Sequence, residues 1–407
     1  MRPPKLTEAI ELYTRMVDTC KGDPNIPSVL FNIASLWNRK AMSMGSPFGL
    51  NETQREEWRI YLGHSNTACE RLLTEFPTSP QVAMALQMLL DNQKKLVLVA
   101  AKKEDDTDTD PVTTYFQALA AKFAEKPDIQ SKILFTLASH TYGKDKKKAL
   151  EQMEAAYKTD VVYAPADIDL YGIALFDEGK IDQAVEVYQK LAADFPDPDP
   201  AHPEKSPSQV KQAQSVARFG EAKALRLKGE IAEAAEKFAE IKKIYNLPPD
   251  KVMEANYVIA LHACENKKGD EATRKLLIDI IRAQKASTEL RANAMLLRAK
   301  LLENVLENKD TLQDWITAMD EYIKIADYYS AIRPVAAEAL WRGGQLLEKH
   351  AVQLPPPDPK IKNPLTKTGQ LRKALRAYQD LVAKYPEQEQ FVNEAKARIA
   401  ELEPRLK

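Results

Sequence analysis

Residues Tyr163–Pro196 read YAPADIDLYGIALFDEGKIDQAVEVYQKLAADFP. Ile168, Tyr171, Gly172 and Leu175 recur at i, i+3, i+4 and i+7, the spacing of one helix face. Gly179 then ends the helix, because a residue without a Cβ enters the left-handed region at no steric cost. A second helix carries Ala184, Tyr188, Leu191 and Phe195 on one face. Pro196 stops it, since proline lacks the N–H that a helix bond requires. The stretch predicts two short antiparallel helices that cross at the small residues Gly172 and Ala184.

The second-helix pattern, a small residue with aromatic or apolar partners at +4 and +7, recurs along the chain. It starts at Ala9, Ser65, Val112, Ala149, Ala184, Ala234, Ala272, Ala318 and Ala374. Three copies end in an aromatic-proline pair: Phe76-Pro77, Phe195-Pro196 and Tyr385-Pro386. First helices are expected between them, over 25–42, 80–101, 128–142, 165–178, 207–228, 250–266, 287–308 and 334–352. A last helix over 387–402 closes the chain. The pattern resembles the tetratricopeptide repeat, whose period is about 34 residues, and Ala149 to Ala184 spans 35.

The resemblance implies an all-α fold, a right-handed α-α superhelix of about nine helix pairs over residues 1–407. The chain opens on a second-type helix, Leu6–Thr19, with no first-type partner before it. The expectation is therefore a piece of a longer protein, with Leu12 or Met16 exposed on that helix. Four inserts break the period: 43–51, 102–111, 196–208 and 354–369. The proline-rich ones read as stiff spacers or as polyproline-type docking sites, and 196–208 is the expected hinge.

Composition narrows the function. The formal net charge is −1 with 29% charged residues, so no general pull toward nucleic acid or anionic membrane is expected. The longest apolar run, Leu96–Ala101, is far too short to span a bilayer. Cys20, Cys69 and Cys264 are an odd set without a CxxC spacing, so neither a disulfide framework nor a zinc site is expected.

Motifs for chemistry are missing. The sequence holds no GxxxxGK[ST], GxSxG or HExxH, and its five histidines never fall at metal-ligand spacing. The acidic run Glu104–Asp110 invites a calcium-loop reading. Pro111 stands where an EF-hand needs glycine, however, and Gln117 where it needs glutamate. Asp110 capping a helix that begins at Pro111 is the better account. A terpene-synthase-like DDxxD also fails, at Thr109. No catalytic residue, cofactor or metal is expected.

A protein or peptide partner is what the repeat resemblance implies. The endings at Phe195-Pro196 and Tyr385-Pro386 resemble bacterial cell-envelope tetratricopeptide proteins, such as the outer-membrane assembly lipoprotein and the periplasmic cell-division coordinator. That likeness implies a periplasmic or envelope setting, while the residues themselves leave the compartment open. The carboxylate clamp of the chaperone-binding members would fall on Asp169 with Ile173, and on Tyr257 with Leu261. Neither pair supplies the lysine and asparagine of that clamp, so a terminal EEVD-type peptide is not expected. The resemblance implies that one first-helix position faces the concave groove, and that position carries Phe31, Phe135, Phe219, Tyr257 and Trp341, with Asp169 the exception in the central repeat. Such a stripe either packs neighbouring first helices or docks a partner segment. The reading is a non-catalytic interaction scaffold that binds a protein or peptide on its concave face. The alternatives are an accessory arm of a larger envelope enzyme, or an element that self-associates through its terminal helices.

Overall fold

The structure, a computed structural model, describes residues 6–99, 110–266, 271–306, 312–354 and 366–406. Residues 1–5, the acidic run before Asp110 and most of the inserts 102–111 and 354–369 lie outside them. Among the described residues there are eighteen α-helices and no strand, the all-α class read from the sequence. The chain divides into two compact units, Met1–Ala224 and Leu225–Lys407. This division falls within a helix, downstream of the 196–208 insert where the sequence places a hinge.

The first unit holds α1 (Leu6–Thr19), α2 (Ile26–Ser43), α3 (Glu52–Glu75), α4 (Val82–Val99), α5 (Pro111–Lys122) and α6 (Pro127–Tyr142). It continues with α7 (Lys146–Ala156), α8 (Pro165–Asp177), α9 (Ile181–Asp194) and α10 (Ser208–Leu227), whose last turn passes the division. Even-numbered helices are the first helices of the repeats, and odd-numbered ones the second. Proline occupies the first turn of α2, α5, α6 and α8, where its missing N–H is not needed. Asp110 does cap α5. Its carboxylate accepts from the Val112 N–H at 3.3 Å and also holds His140 Nε2 and Lys144 Nζ, each at 2.8 Å. Burial works against its ionised form, but the Lys144 and His140 hydrogen bonds outweigh it and lower the pKa to about 2.

Gly179 sits at φ 72° between α8 and α9, and the Lys180 N–H reaches back to the Leu175 carbonyl at 2.9 Å. This closes the α8 end with the bond pattern of a glycine C-cap. The small residues meet where the helices cross. Ala184 is fully buried, and a Cβ on Gly172 would overlap the Tyr188 ring. Gly220 on α10 meets the same ring from another side, so Tyr188 is wedged between glycines of two successive first helices. Farther up the chain the core carries a polar cluster. Asn92 Nδ2 donates to Ser65 Oγ at 3.0 Å and to Asn66 Oδ1 at 2.9 Å, while Asn38 donates to Asn92 Oδ1. Ser65 Oγ in turn donates to the Ala34 carbonyl at 2.9 Å. Mutual satisfaction lets these groups lie buried between α2, α3 and α4 without the cost of an unmade bond.

The second unit holds α11 (Ile231–Ile244), α12 (Pro249–Glu265), α13 (Glu271–Arg282), α14 (Thr288–Leu306) and α15 (Leu312–Tyr328). It ends with α16 (Arg333–Gln353), α17 (Lys367–Lys384) and α18 (Glu389–Leu406). Its neighbouring first helices are joined by charge. Lys300 of α14 pairs with Glu338 of α16 at 2.6 Å, Arg342 of α16 with Glu303 of α14 at 3.6 Å, and Arg398 of α18 with Glu348 of α16.

Two register expectations are corrected. α13 buries Thr273, Leu277 and Ile280 and exposes Ala272, one residue out of step with the sequence reading. Threonine also fits a close crossing, and shifting by one brings Leu277 and Ile280 inward in place of Leu276. α1 likewise buries Ile10 and Val17 instead of Ala9 and Met16. Leu12 is 52% exposed, as expected, and Met16, off the buried face, is 38% exposed. The last helix runs beyond Leu402 to Leu406 with Pro404 inside it, because Leu402 and Leu406 both pack onto the core.

Candidate functional site

The five aromatics of the expected stripe have different surroundings. Phe31 on α2 is half-buried against the core that α2 shares with α3 and α4. Phe135 on α6 is fully buried, with its ring centre 5.1 Å from Tyr163 and 5.6 Å from Tyr171 on α8. It packs two neighbouring first helices together. Phe219 on α10 is buried as well. Tyr257 on α12 is half-buried, with the Arg226 guanidinium 6.0 Å from its ring centre. Trp341 on α16 is buried too, 8% exposed, resting on Tyr378 with centroids 5.4 Å apart, and it borders an open cleft.

That cleft, about 400 Å³ in volume, lies between α16 and α18 within the second unit. Trp341, Gln345 and Glu348 form one wall at i, i+4 and i+7 on α16. Glu394, Ala397 and Arg398 form the other at i, i+3 and i+4 on α18. Helical periodicity therefore lays two stripes face to face. Gln345 and Glu348 could have been found by counting on from Trp341. The α18 wall carries no aromatic landmark, and its place opposite α16 follows only from the fold.

The charges in the cleft are mostly committed to one another. Arg398 grips Glu348 through two nitrogens, Nε at 3.1 Å and Nη2, and also pairs with Glu401. The Tyr378 hydroxyl donates to Glu348 Oε1 at 2.7 Å. These hydrogen bonds raise the Arg398 pKa, and burial followed by the Glu348 carboxylate raises that of Tyr378. Glu394 is exposed and makes no ion pair among the described residues. No lysine or arginine among the described residues lies over the Trp341 ring, whereas Lys40 covers Trp37 at 5.1 Å and Lys223 covers Phe176 at 5.5 Å. Among the described residues no helix is long and apolar enough to cross a membrane.

The tetratricopeptide repeat family matches residues 170–198 and 338–387. No curated protein sequence matches the chain. Among solved structures, the yeast Tom70 crystal structure is 13% identical, over 99% of this chain and 94% of that one, at a TM-score of 0.35. A circular tandem repeat protein with novel repeat topology is 12% identical, over 98% and 88%, at a TM-score of 0.27. Likeness at that level says nothing of what this chain binds. The matches are to the repeat in general and give no support to the narrower likeness to bacterial envelope members. The first match covers the α8–α9 pair and the second runs along α16 and α17, the helices that carry Trp341 and its supporting Tyr378. The described residues form an all-α fold, and residues 170–198 and 338–387 are similar to the tetratricopeptide repeat family.

Proposed function

We propose that this chain is a non-catalytic scaffold that holds a protein or peptide segment along the face formed by its first helices. The observation that carries the reading is the cleft between the first helices α16 and α18, walled by Trp341 and set beside the 338–387 repeat match. Large aromatic side chains anchor interfaces at little entropic cost. Of the sequence candidates, Phe31 in the first unit and Tyr257 in the second are half-buried, and Trp341, though buried, borders the cleft; these three are the ones proposed for this role. Phe135 serves it only by packing α6 against α8, and Phe219 is buried on α10. The envelope setting implied by the aromatic-proline endings belongs to the same reading, and fractionation of expressing cells tests it.

The scaffold reading is tested by selecting a displayed library of random dodecapeptides on the whole chain. Selected peptides are expected to lose binding to Tyr257→Ala or Trp341→Ala while still recognising the folded wild type. Peptides that bind all of these variants equally would sink the first-helix face as the docking surface. A second reading, self-association, is favoured by the exposed Leu12 and Met16 of α1. Sedimentation over a concentration series decides it, and a constant molecular mass rejects it.

A further inference from the structure

We infer that α14, α16 and α18 open and close as one block, geared together by a tyrosine–glutamate–arginine relay that occurs twice in the second unit. The inference stands apart from the scaffold reading, since no ligand enters it.

The first relay starts at Tyr322, the buried crossing ring of α15. Its hydroxyl donates to Glu303 Oε2 of α14 at 2.6 Å, and the same oxygen lies 3.6 Å from Arg342 Nη1 of α16. The second starts at Tyr378, the buried crossing ring of α17. Its hydroxyl donates to Glu348 Oε1 of α16 at 2.7 Å, where Arg398 Nε of α18 also donates at 3.1 Å. In both relays, then, the tyrosine of one repeat and the arginine of the next first helix meet on a single carboxylate oxygen. In both, 20 residues lead from tyrosine to arginine, Tyr322 to Arg342 and Tyr378 to Arg398. The insert 354–369 falls between Glu348 and Tyr378, and the second relay keeps its pattern across it.

The device belongs to these two repeats. At the same crossing position Cys69, Phe116, Met153 and Phe238 carry no phenol, and the Tyr188 hydroxyl reaches the Asp169 backbone carbonyl. Sharing is what gears the helices. Hydrogen bonds to an ionised acceptor are the strong kind, so a shared oxygen cannot follow one donor without straining its tie to the other. α16 holds a member of each relay, Arg342 of the first and Glu348 of the second. A displacement of α14 therefore reaches α18 through one rigid helix. Glu338 adds a second tie on the α14 side, accepting from Arg342 Nε at 2.7 Å while pairing with Lys300 at 2.6 Å.

Hydrogen exchange of the whole chain under native conditions, read by mass spectrometry, tests this. Loss of a hydrogen bond to a charged group corresponds to about ten- to a hundredfold in an opening equilibrium. Tyr322→Phe is expected to speed exchange in α16 and α18 as well as in α14 and α15. Tyr378→Phe is expected to speed it in α14, while α11 and α12 keep their wild-type rates in both variants. The control Tyr188→Phe is expected to act on α8 and α9 alone. Arg342→Gln cuts the chain of contacts but leaves the Tyr322 hydroxyl on Glu303, and in that background Tyr322→Phe should no longer reach α18. An effect of Tyr322→Phe confined to α14 and α15 overturns the inference, as does equal acceleration of the whole second unit. So does an α18 response that survives Arg342→Gln.

Discussion

Tyr188 and Tyr378 occupy the same place in two repeats and do different work. Each is a buried ring four residues after a fully buried alanine, Ala184 or Ala374. Tyr188 is locked by shape, wedged between Gly172 and Gly220, and its hydroxyl reaches the Asp169 carbonyl at 3.3 Å. Tyr378 lies against Gly344, and its hydroxyl donates to the Glu348 carboxylate at 2.7 Å. Glu348 in turn orients Arg398. The core ring of the second repeat is thereby tied to a charged surface, while the core ring of the first ends at backbone. Tyr322 follows the second pattern, donating to Glu303 Oε2 at 2.6 Å. The same residue at the same repeat position thus either stays within the core or ties it to a charged surface, according to the partner its hydroxyl meets.

The largest effect expected concerns the ring itself. Tyr188→Ala should cost about 3–5 kcal/mol, as loss of a buried aromatic does, read from chemical denaturation. An unchanged midpoint would mean the wedge is not formed. Gly172→Ala and Gly220→Ala should each cost about 1–3 kcal/mol by overpacking. Because both press on one ring, Tyr188→Leu, which shortens the reach of that side chain, should relieve either one; strict additivity would break the shared-wedge account. Ala184→Leu belongs to the same size class, and a melting temperature that does not move would rule out the close crossing.

Next come the hydroxyls. Tyr378→Phe removes a hydrogen bond to a charged group and should cost about 1.5–3 kcal/mol, whereas Tyr188→Phe should cost about 0.5–1.5 kcal/mol. Equal losses would erase the distinction drawn between the two repeats. Arg398 should also become more mobile in Tyr378→Phe, seen as altered side-chain Nε–H relaxation.

The smallest effects are in pH. Burial raises the pKa of the half-buried Asp167 on α8 to about 6, although the Lys132 charge on α6 pulls the other way. A raised acid binds its proton more tightly in the folded state. Its contribution is fully present below the ordinary value of 3.8 and is lost as pH rises through about 6. Glu338 on α16 behaves oppositely. Burial opposes its ionisation, but hydrogen bonds from Lys300 and Arg342 dominate and lower its pKa. Its contribution is present above the ordinary 4.5 and fades as pH falls below it. Stability profiles of Asp167→Asn and Glu338→Gln should therefore differ from wild type with opposite slopes. Slopes of one sign would refute the contrast.

Much of this was legible in the sequence because a close helix crossing admits few residue types. Ser65, Ala149, Ala184, Ala234, Ala318 and Ala374 all mark true crossings, and the aromatic or apolar residues after them are buried. The reading slipped by one at α13, where Ala272 and Thr273 are both small enough to cross and only packing chooses between them. The aromatic stripe was legible as a position but not as an environment. Phe135 and Trp341 look alike in the register and both are buried, yet one packs on Tyr171 of the next first helix and the other rests on Tyr378 beside a cleft. Which of these happens depends on the neighbour across the seam. The α18 wall was invisible for the same reason, since Arg398 gains its meaning from Glu348, fifty residues earlier.

The doubly glycine-flanked Tyr188 also bears on how such an array can grow. In a stacked array each repeat contacts only its neighbours, so a unit copied in tandem must fit its own copy. A copy of Tyr163–Pro196 inserted after itself would set the α8 sequence against Tyr188 in place of α10. Counted back from the crossing alanines Ala184 and Ala234, Leu170 stands where Gly220 does. A leucine would be driven into the ring that a glycine now accommodates. This unit is therefore not an interchangeable tile: its descendants could duplicate only together with a compensating change at one of the two surfaces, which fixes its place in the order of the chain.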